Sequence, residues 1–104
     1  MMKFENVTLD EKANIYFEGK VTSRTFYMPN GERKTLGFML PGEYEFGTGS
    51  AERMQVLNGS IDAKLPGETE FTTYSEGMAF DIPANSSYVA VVNTYADYVC
   101  SYTD

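Results

Sequence analysis

Three glutamates stand in a stretch that glycines frame, "GFMLPGEYEFGTGSAERMQVLNGSI", over residues 37–61. The carboxylates of Glu43, Glu45 and Glu52 are oxygen ligands, which hard cations such as Mg²⁺, Ca²⁺ and Mn²⁺ prefer. The chain contains no histidine, and zinc, copper and non-haem iron sites normally need imidazole or thiolate ligands. The stretch therefore has the outline of a metal site without its usual ligands. We expect no metal here, because solvated charges on a strand face explain Glu45 at least as well.

Other chemistry is limited by the residues present. Cys100, the single cysteine, has no histidine to activate it, so we expect a buried core thiol rather than a nucleophile. The "GTGS" loop is followed by no Lys-Ser/Thr pair, which argues against a phosphate loop. The chain has eight basic residues, most of which surface solubility explains. A guanidinium is nevertheless the best side-chain partner for a phosphate, because its planar fork binds two oxygens at once.

The composition is that of a small globular domain. Hydrophobic residues make up 42% of the 104 residues, with eight Tyr and seven Phe, and we expect a homodimer to bury the aromatic surplus. The net charge of −7 argues against a nucleic-acid partner, which needs a basic surface. The opening "MMKFENVTLDEKAN" lacks the apolar core of a signal peptide, and no segment is apolar enough to span a membrane. We expect a cytoplasmic protein.

Turn signals punctuate the chain from Tyr16 onward at spacings of roughly six to twelve residues, which predicts an all-β sandwich or barrel. The intervening runs are rich in residues that suit a pleated surface. In "ERMQVLNG", alternation puts Glu52, Met54 and Val56 on one face, and near the end Tyr98, Cys100 and Tyr102 share a face. Asn58-Gly59 predicts a tight hairpin turn, and Asn30-Gly31 predicts a similar turn or a longer loop.

Taken together, these motifs resemble the two motifs of the cupin fold. Gly37, Glu43-x-Glu45, Glu52 and Gly59 follow the first motif, and Gly77, Pro83, Asn85 and Tyr88 follow the second. In metal-binding cupins the positions of Glu43, Glu45 and Tyr88 carry histidine, and only the glutamate at Glu52 remains here. The resemblance implies an all-β, single-domain cupin (RmlC-like) β-barrel or jelly roll over residues 14–104, preceded by an N-terminal arm over residues 1–13.

A narrower resemblance covers about residues 14–103. The runs "NIYFEGKVTSRTF", "RKTLGFMLPGEYEF", "ERMQVLNG" and the closing "Y.C.Y" are similar to the small cupin family of pyrimidine/purine nucleoside phosphorylases. This resemblance implies a metal-independent, cofactor-free enzyme. It would convert purine and pyrimidine nucleosides plus inorganic phosphate reversibly into free base and ribose 1-phosphate.

Roles follow from that expected chemistry. Arg33 and Lys20 are the candidates for binding phosphate. Glu52, and more weakly Glu43, are the candidates for supporting the cationic sugar or its hydroxyls. Tyr16 and Tyr88 are the candidates for flanking the base and ribose.

Two rivals stay open at this point. One is a non-catalytic cupin that binds a sugar or nucleotide as a sensor, and the other is a metal-dependent enzyme that uses the carboxylates.

Overall fold

The computed structural model describes residues 3–104, and it is built from β-strands that form two curled antiparallel sheets. Ten strands follow one another along the chain: β1 (Thr8–Leu9), β2 (Asn14–Tyr16), β3 (Val21–Tyr27), β4 (Arg33–Met39), β5 (Gly42–Gly47), β6 (Ala51–Lys64), β7 (Thr72–Ser75), β8 (Ala79–Ile82), β9 (Ser87–Val92) and β10 (Ala96–Thr103). The predicted all-β cupin-like fold is confirmed. No helix in this part of the chain is long and apolar enough to cross a membrane.

Strand β6 belongs to both sheets. Its first half pairs with β10 on one side and β8 on the other, and the first sheet continues from β10 through β4 to β3, with β1 and β2 beside β3. Its second half pairs with β7 and β9, and β5 completes the second sheet beyond β9. The core therefore lies between two layers that one long strand connects.

The middle of β6 corrects a prediction. Asn58-Gly59 was expected to form a hairpin turn, but both residues lie inside β6, beside a bulge where β10 shifts register between Asp97 and Tyr98. Gly59 has a left-handed φ of 78°, and a Cβ at that position would overlap the backbone carbonyl of Tyr95. The glycine thus serves a bend and a close backbone approach, which are two common reasons for glycine within a strand.

The other Asn-Gly pair does form a turn. Gly31 has a φ of 89° between β3 and β4. Its N–H donates to the carbonyl of Met28 at 2.8 Å, and the Met28 N–H donates to the carbonyl of Glu32 at 2.9 Å. This turn fixes the register of β3 and β4 and so places Arg33 at the start of β4.

Inward-facing residues alternate along the strands and form one hydrophobic core. Met54 and Val56 are buried as predicted, and the core continues through the second half of β6 into β9. Outside this core, β1 pairs with the end of β3, and the Phe4 ring packs 4.9 Å from that of Phe26 between centroids.

Candidate functional site

A cavity of about 110 Å³ lies inside the barrel, where β6 begins and β10 ends. Its chemically active wall comes from the inward faces of these two strands and of β9: Glu52, Met54, Tyr88, Tyr98, Cys100 and Tyr102. Register explains the grouping, because Tyr102 pairs with Glu52 and Cys100 with Met54 across the two strands. Side chains that are cross-strand neighbours on one face of a sheet lie close together. The inward-facing residues of β6 and β10 therefore form a single site.

Glu52 is the one carboxylate on this wall. The Cys100 thiol donates a hydrogen bond to its Oε1 at 3.4 Å. Burial raises the pKa of Glu52, against the opposing effects of the Cys100 hydrogen bond and of the positive charge on Arg33. Burial, followed by the nearby charge of Glu52, raises the pKa of Cys100 to about 12, so the thiol stays protonated. The predicted inward orientation of Glu52 is confirmed, and Cys100 is buried as expected.

Two tyrosine hydroxyls of this cavity make no hydrogen bond to another group within residues 3–104. They belong to Tyr88 and Tyr98, which are only 3% and 5% exposed and both line the cavity. Because no fully buried side-chain oxygen there lacks a partner, both hydroxyls border the open space of the cavity. Burial raises the pKa of both phenols, so each remains a neutral O–H donor. By contrast, the Tyr102 hydroxyl lies 3.3 Å from Oγ1 of Thr35.

Gly37 makes room for one of these tyrosines. It is the cross-strand partner of Tyr98, and a Cβ at Gly37 would overlap the Tyr98 ring. The first glycine of the cupin-like motif therefore has a steric function, which is to let the hydroxyl end of the Tyr98 side chain lie against β4.

Arg33 does not line the cavity itself but contacts Tyr102, which does, and this adjacent position is called the rim of the cavity. Its guanidinium carbon is 3.9 Å from the centre of the Tyr102 ring, a cation–π contact. Its Nε and Nη2 each donate to a carboxylate oxygen of Asp104 at 2.8 Å. Hydrogen bonding to Arg33 lowers the pKa of Asp104, whose Oδ1 also accepts from Ser50 at 3.1 Å. A two-point carboxylate clamp thus occupies the guanidinium fork.

Tyr16 reaches the cavity from an unusual turn. Phe17, Glu18 and Gly19 follow it with left-handed φ angles of 51°, 57° and 92°, a strained conformation for a bulky residue. The Phe17 ring packs 4.9 Å from Tyr44 and 5.4 Å from Phe46, measured between centroids. This packing holds the turn and leaves Tyr16 lining the cavity while 47% exposed.

Three residues that the sequence analysis considered for a site lie elsewhere. Glu43 and Glu45 are exposed on β5, and the residues that alternate with them, Tyr44 and Phe46, face the interior. The comparison of Glu43 and Glu45 with inward histidines of metal-binding cupins is therefore wrong by one position, because aromatic rings occupy the inward positions. Lys20 is also exposed and does not line the cavity. Residues 3–104 contain no group of three or more His, Cys, Asp or Glu side chains placed to hold a metal ion.

Sequence reasoning placed Tyr98, Cys100 and Tyr102 on one face but did not assign them to the site. The signal available was the "Y.C.Y" alternation, which is typical of any half-buried strand. What makes these residues part of the site is their pairing with the Glu52 segment, which alternation within one strand does not specify.

Comparisons with known proteins agree with this architecture. A family model described as "Pyrimidine/purine nucleoside phosphorylase" matches residues 11–102. A pyrimidine/purine nucleoside phosphorylase from Clostridioides difficile (strain 630) is 58% identical over 102 residues, which is 98% of this chain and 97% of that protein. One from Hydrogenovibrio crunogenus is 54% identical over 104 residues, all of both chains.

Solved structures give the same fold. A protein of unknown function (DUF1255) from Acinetobacter sp. ADP1 superposes with a TM-score of 0.94 at 34% identity, covering 97% of this chain and 98% of that one. An RmlC-like cupin from Shewanella frigidimarina superposes with a TM-score of 0.71 at 15% identity, covering 94% of this chain and 89% of that one. The second likeness shows the fold alone.

Proposed function

Because the chain belongs to the pyrimidine/purine nucleoside phosphorylase family, we propose that it cleaves purine and pyrimidine nucleosides with inorganic phosphate. The products are the free base and ribose 1-phosphate, and the reaction is reversible. The observation that carries this proposal is a single half-buried carboxylate, Glu52, in a tyrosine-walled cavity with a guanidinium stacked on one of those tyrosines.

The reaction needs few protein groups. A phosphate oxygen forms a bond to the anomeric carbon while the glycosidic C–N bond breaks, and that electron pair leaves with the base, which takes up a proton. Positive charge develops on the sugar in between, as in glycoside hydrolysis. A fixed carboxylate and a held nucleophile are therefore the two main requirements.

Glu52 is suited to the carboxylate role. When ionised, it would stabilise the cationic sugar or accept hydrogen bonds from its hydroxyls. Its surroundings support this role, because a charge in a partly water-excluded cavity acts more strongly than one in bulk water. The raised pKa of Glu52 predicts that activity increases with pH as this carboxylate loses its proton.

Arg33 is suited to binding phosphate. Its fork already binds a carboxylate through two oxygens, and phosphate offers the same two-oxygen geometry. We propose that phosphate replaces Asp104 at the fork while the guanidinium keeps its place over the Tyr102 ring. Phosphate would then enter at the rim, close to the cavity that holds the sugar.

Tyr16 is the candidate for contacting the base, because it is the most exposed tyrosine lining the cavity. We propose that Tyr88, unlike Tyr16, does not stack on the base. Its ring stacks on Phe46 at 5.5 Å and meets Phe80 edge-on at 5.7 Å, so its hydroxyl rather than its ring face is available to a ligand. Glu43 and Lys20 have no part in this proposal, because both lie outside the cavity.

The proposal includes metal independence. Arg33 supplies the positive charge that a metal would otherwise bring to phosphate, and the inward positions of β5 are aromatic. Activity should therefore survive exhaustive treatment with EDTA. Loss of turnover with EDTA and its recovery with Mn²⁺ or Mg²⁺ would instead support the carboxylate-metal enzyme.

A homodimer is also proposed. Leu36 and Phe38 on β4, and Leu40 just after it, are 38%, 42% and 45% exposed, and the Tyr95 ring stacks 5.8 Å from that of Phe38. An apolar sheet face of this kind is typical of a contact between subunits. Sedimentation at micromolar concentration tests it, and a wholly monomeric protein would remove the claim.

The test of the function is release of uracil from uridine by the purified protein. We expect release only when phosphate is present, with ribose 1-phosphate formed in equal amount. A non-catalytic sugar or nucleotide sensor would bind uridine and release nothing.

A further inference from the structure

The Tyr98 hydroxyl is one of the two tyrosine hydroxyls in the cavity that make no hydrogen bond within residues 3–104, although its residue is only 5% exposed. Because no fully buried side-chain oxygen in that part of the chain lacks a partner, the hydroxyl must border the open space of the cavity that Tyr98 lines. Burial also raises the pKa of the phenol, so its proton stays in place. A neutral donor that makes no hydrogen bond within the protein and borders the cavity is available to a ligand.

The fold makes space for this hydroxyl. Tyr98 lies over Gly37, where any larger residue would overlap its ring. Tyr98 and Glu52 both line the same cavity. A sugar, which carries several alcohol groups, matches these two residues, because one alcohol oxygen can accept from the phenol while an alcohol O–H donates to the carboxylate. Phosphate fits the cavity less well, since the charge of ionised Glu52 would repel it.

From this arrangement we infer that the Tyr98 hydroxyl donates a hydrogen bond to a sugar hydroxyl of the nucleoside and so determines recognition of the ribose. The inference rests on the proposed phosphorolysis and adds a substrate-binding residue to it. Tyr98 acts together with Glu52, and its contribution is to binding and orienting the sugar.

A matched control exists in the same molecule. Tyr44 is also buried, at 2% exposure, but its hydroxyl donates to the carbonyl of Leu40 at 2.6 Å and it does not line the cavity. Tyr44→Phe removes a satisfied hydrogen bond, so it should lower the Tm. Tyr98→Phe removes an unpaired hydroxyl and keeps the packing over Gly37, so it should leave the Tm unchanged or raise it.

The experiment measures kcat/KM for uridine and for its 2′-, 3′- and 5′-deoxy analogues, in the wild type and in both variants. Losing one neutral hydrogen bond should lower kcat/KM for uridine about 2- to 12-fold in Tyr98→Phe. For one deoxy analogue the same change should cost nothing further, and that analogue identifies the partner hydroxyl. Tyr44→Phe should change kcat/KM for all four substrates by the same small factor or not at all.

Three outcomes overturn the inference. In the first, Tyr98→Phe matches the wild type on uridine. In the second, it loses the same factor on all four substrates, which means that the hydroxyl contacts no sugar hydroxyl. In the third, it lowers the Tm as much as Tyr44→Phe does, which assigns the hydroxyl a structural role. If the wild type itself releases no uracil with phosphate present, the proposed function fails, and the inference fails with it.

Discussion

In both halves of β6, inward-facing and outward-facing residues alternate, but the inward-facing residues of the two halves have different roles. In the second half, Ile61 and Ala63 face the interior with 0% exposure and pack against the equally buried Ala90. In the first half, the inward positions are Glu52 and Met54, which line a cavity. One half places apolar groups where they stabilise the fold, and the other places a carboxylate where burial raises its pKa.

The bulge at Leu57, next to Asn58-Gly59, is what allows one strand to do both. It lies between the two halves, where β6 passes from one sheet to the other. Each half therefore has its own set of neighbours, and substitutions in them should affect different properties. Stability should depend on the second half and turnover on the first.

The largest effect is expected in the packed half. Ile61→Ala should lower the free energy of unfolding by about 2–5 kcal/mol, because it removes buried methyl groups and leaves a void. Chemical denaturation measures this loss. The KM values for uridine and phosphate of the remaining folded enzyme should stay near those of the wild type. If Ile61→Ala changed KM as much as the site variants do, the two halves of β6 would not contribute separately to stability and turnover.

Glu52→Gln, in the cavity-lining half, should affect activity. Losing the charge that supports the cationic sugar should lower kcat/KM about 100- to 1000-fold, the typical effect of removing one electrostatic contact to a transition state. Steady-state kinetics with uridine tests this, and activity within a few-fold of the wild type would remove Glu52 from the mechanism.

The difference in stability between Glu52→Gln and the wild type should depend on pH. Because burial raises the pKa of Glu52 above its unfolded value, its contribution to stability is fully present below the unfolded pKa, about 4.3. That contribution is lost as pH rises through the folded pKa. Glutamine cannot ionise, so the variant should have a higher Tm than the wild type at pH 7–8, and the difference should vanish near pH 4. A variant less stable than the wild type at pH 8 would contradict this.

Arg33→Ala should lower kcat/KM about 10- to 150-fold, since a hydrogen bond to a charged group contributes about 1.5–3 kcal/mol. The loss should appear in the KM for phosphate if the contact is equal in ground and transition states, and in kcat if it tightens during reaction. Arg33→Lys should recover only part of the loss, because an ammonium lacks the planar fork.

Arg24→Ala is the matched control for Arg33→Ala. Arg24 is exposed, does not line the cavity, and its Nε donates to the backbone carbonyl of Glu11 at 3.1 Å. Its loss should leave phosphate kinetics unchanged. Equal kinetics in the two alanine variants would mean that Arg33 is a surface charge.

Sequence reasoning predicted the fold well because alternation reports which face of a strand is buried. It correctly placed Glu52, Met54 and Val56 inward and grouped Tyr98 with Cys100 and Tyr102. It also identified an Asn-Gly turn before Arg33 correctly.

What it could not supply was pairing between distant strands. The contact of Arg33 with Asp104 and that of Glu52 with Cys100 join residues far apart in sequence, and no local pattern encodes them. Local turn chemistry also failed at Asn58-Gly59, because an Asn-Gly pair beside a bulge within a strand has the same sequence signature as one in a hairpin turn. Register failed on β5, where a shift by one residue exchanges Glu43 for Tyr44 on the inner face.

The smallest effect is expected from substituting Asp104, which pairs with Arg33 at the rim. This substitution tests whether the rim affects phosphate binding without affecting the reaction in the cavity. If phosphate must displace the Asp104 carboxylate from Arg33, then Asp104→Asn should lower the KM for phosphate. Exposed ion pairs contribute about 0.2–1 kcal/mol, so the decrease should be about 1.4- to 5-fold, with kcat nearly unchanged. Asp81→Asn is the control, because Asp81 forms a comparable exposed pair with Arg53 outside this cavity, and it should leave the KM for phosphate unaltered. A raised KM in Asp104→Asn would show that Asp104 holds Arg33 in place for phosphate rather than competing with it, so the carboxylate would then be a positioning group.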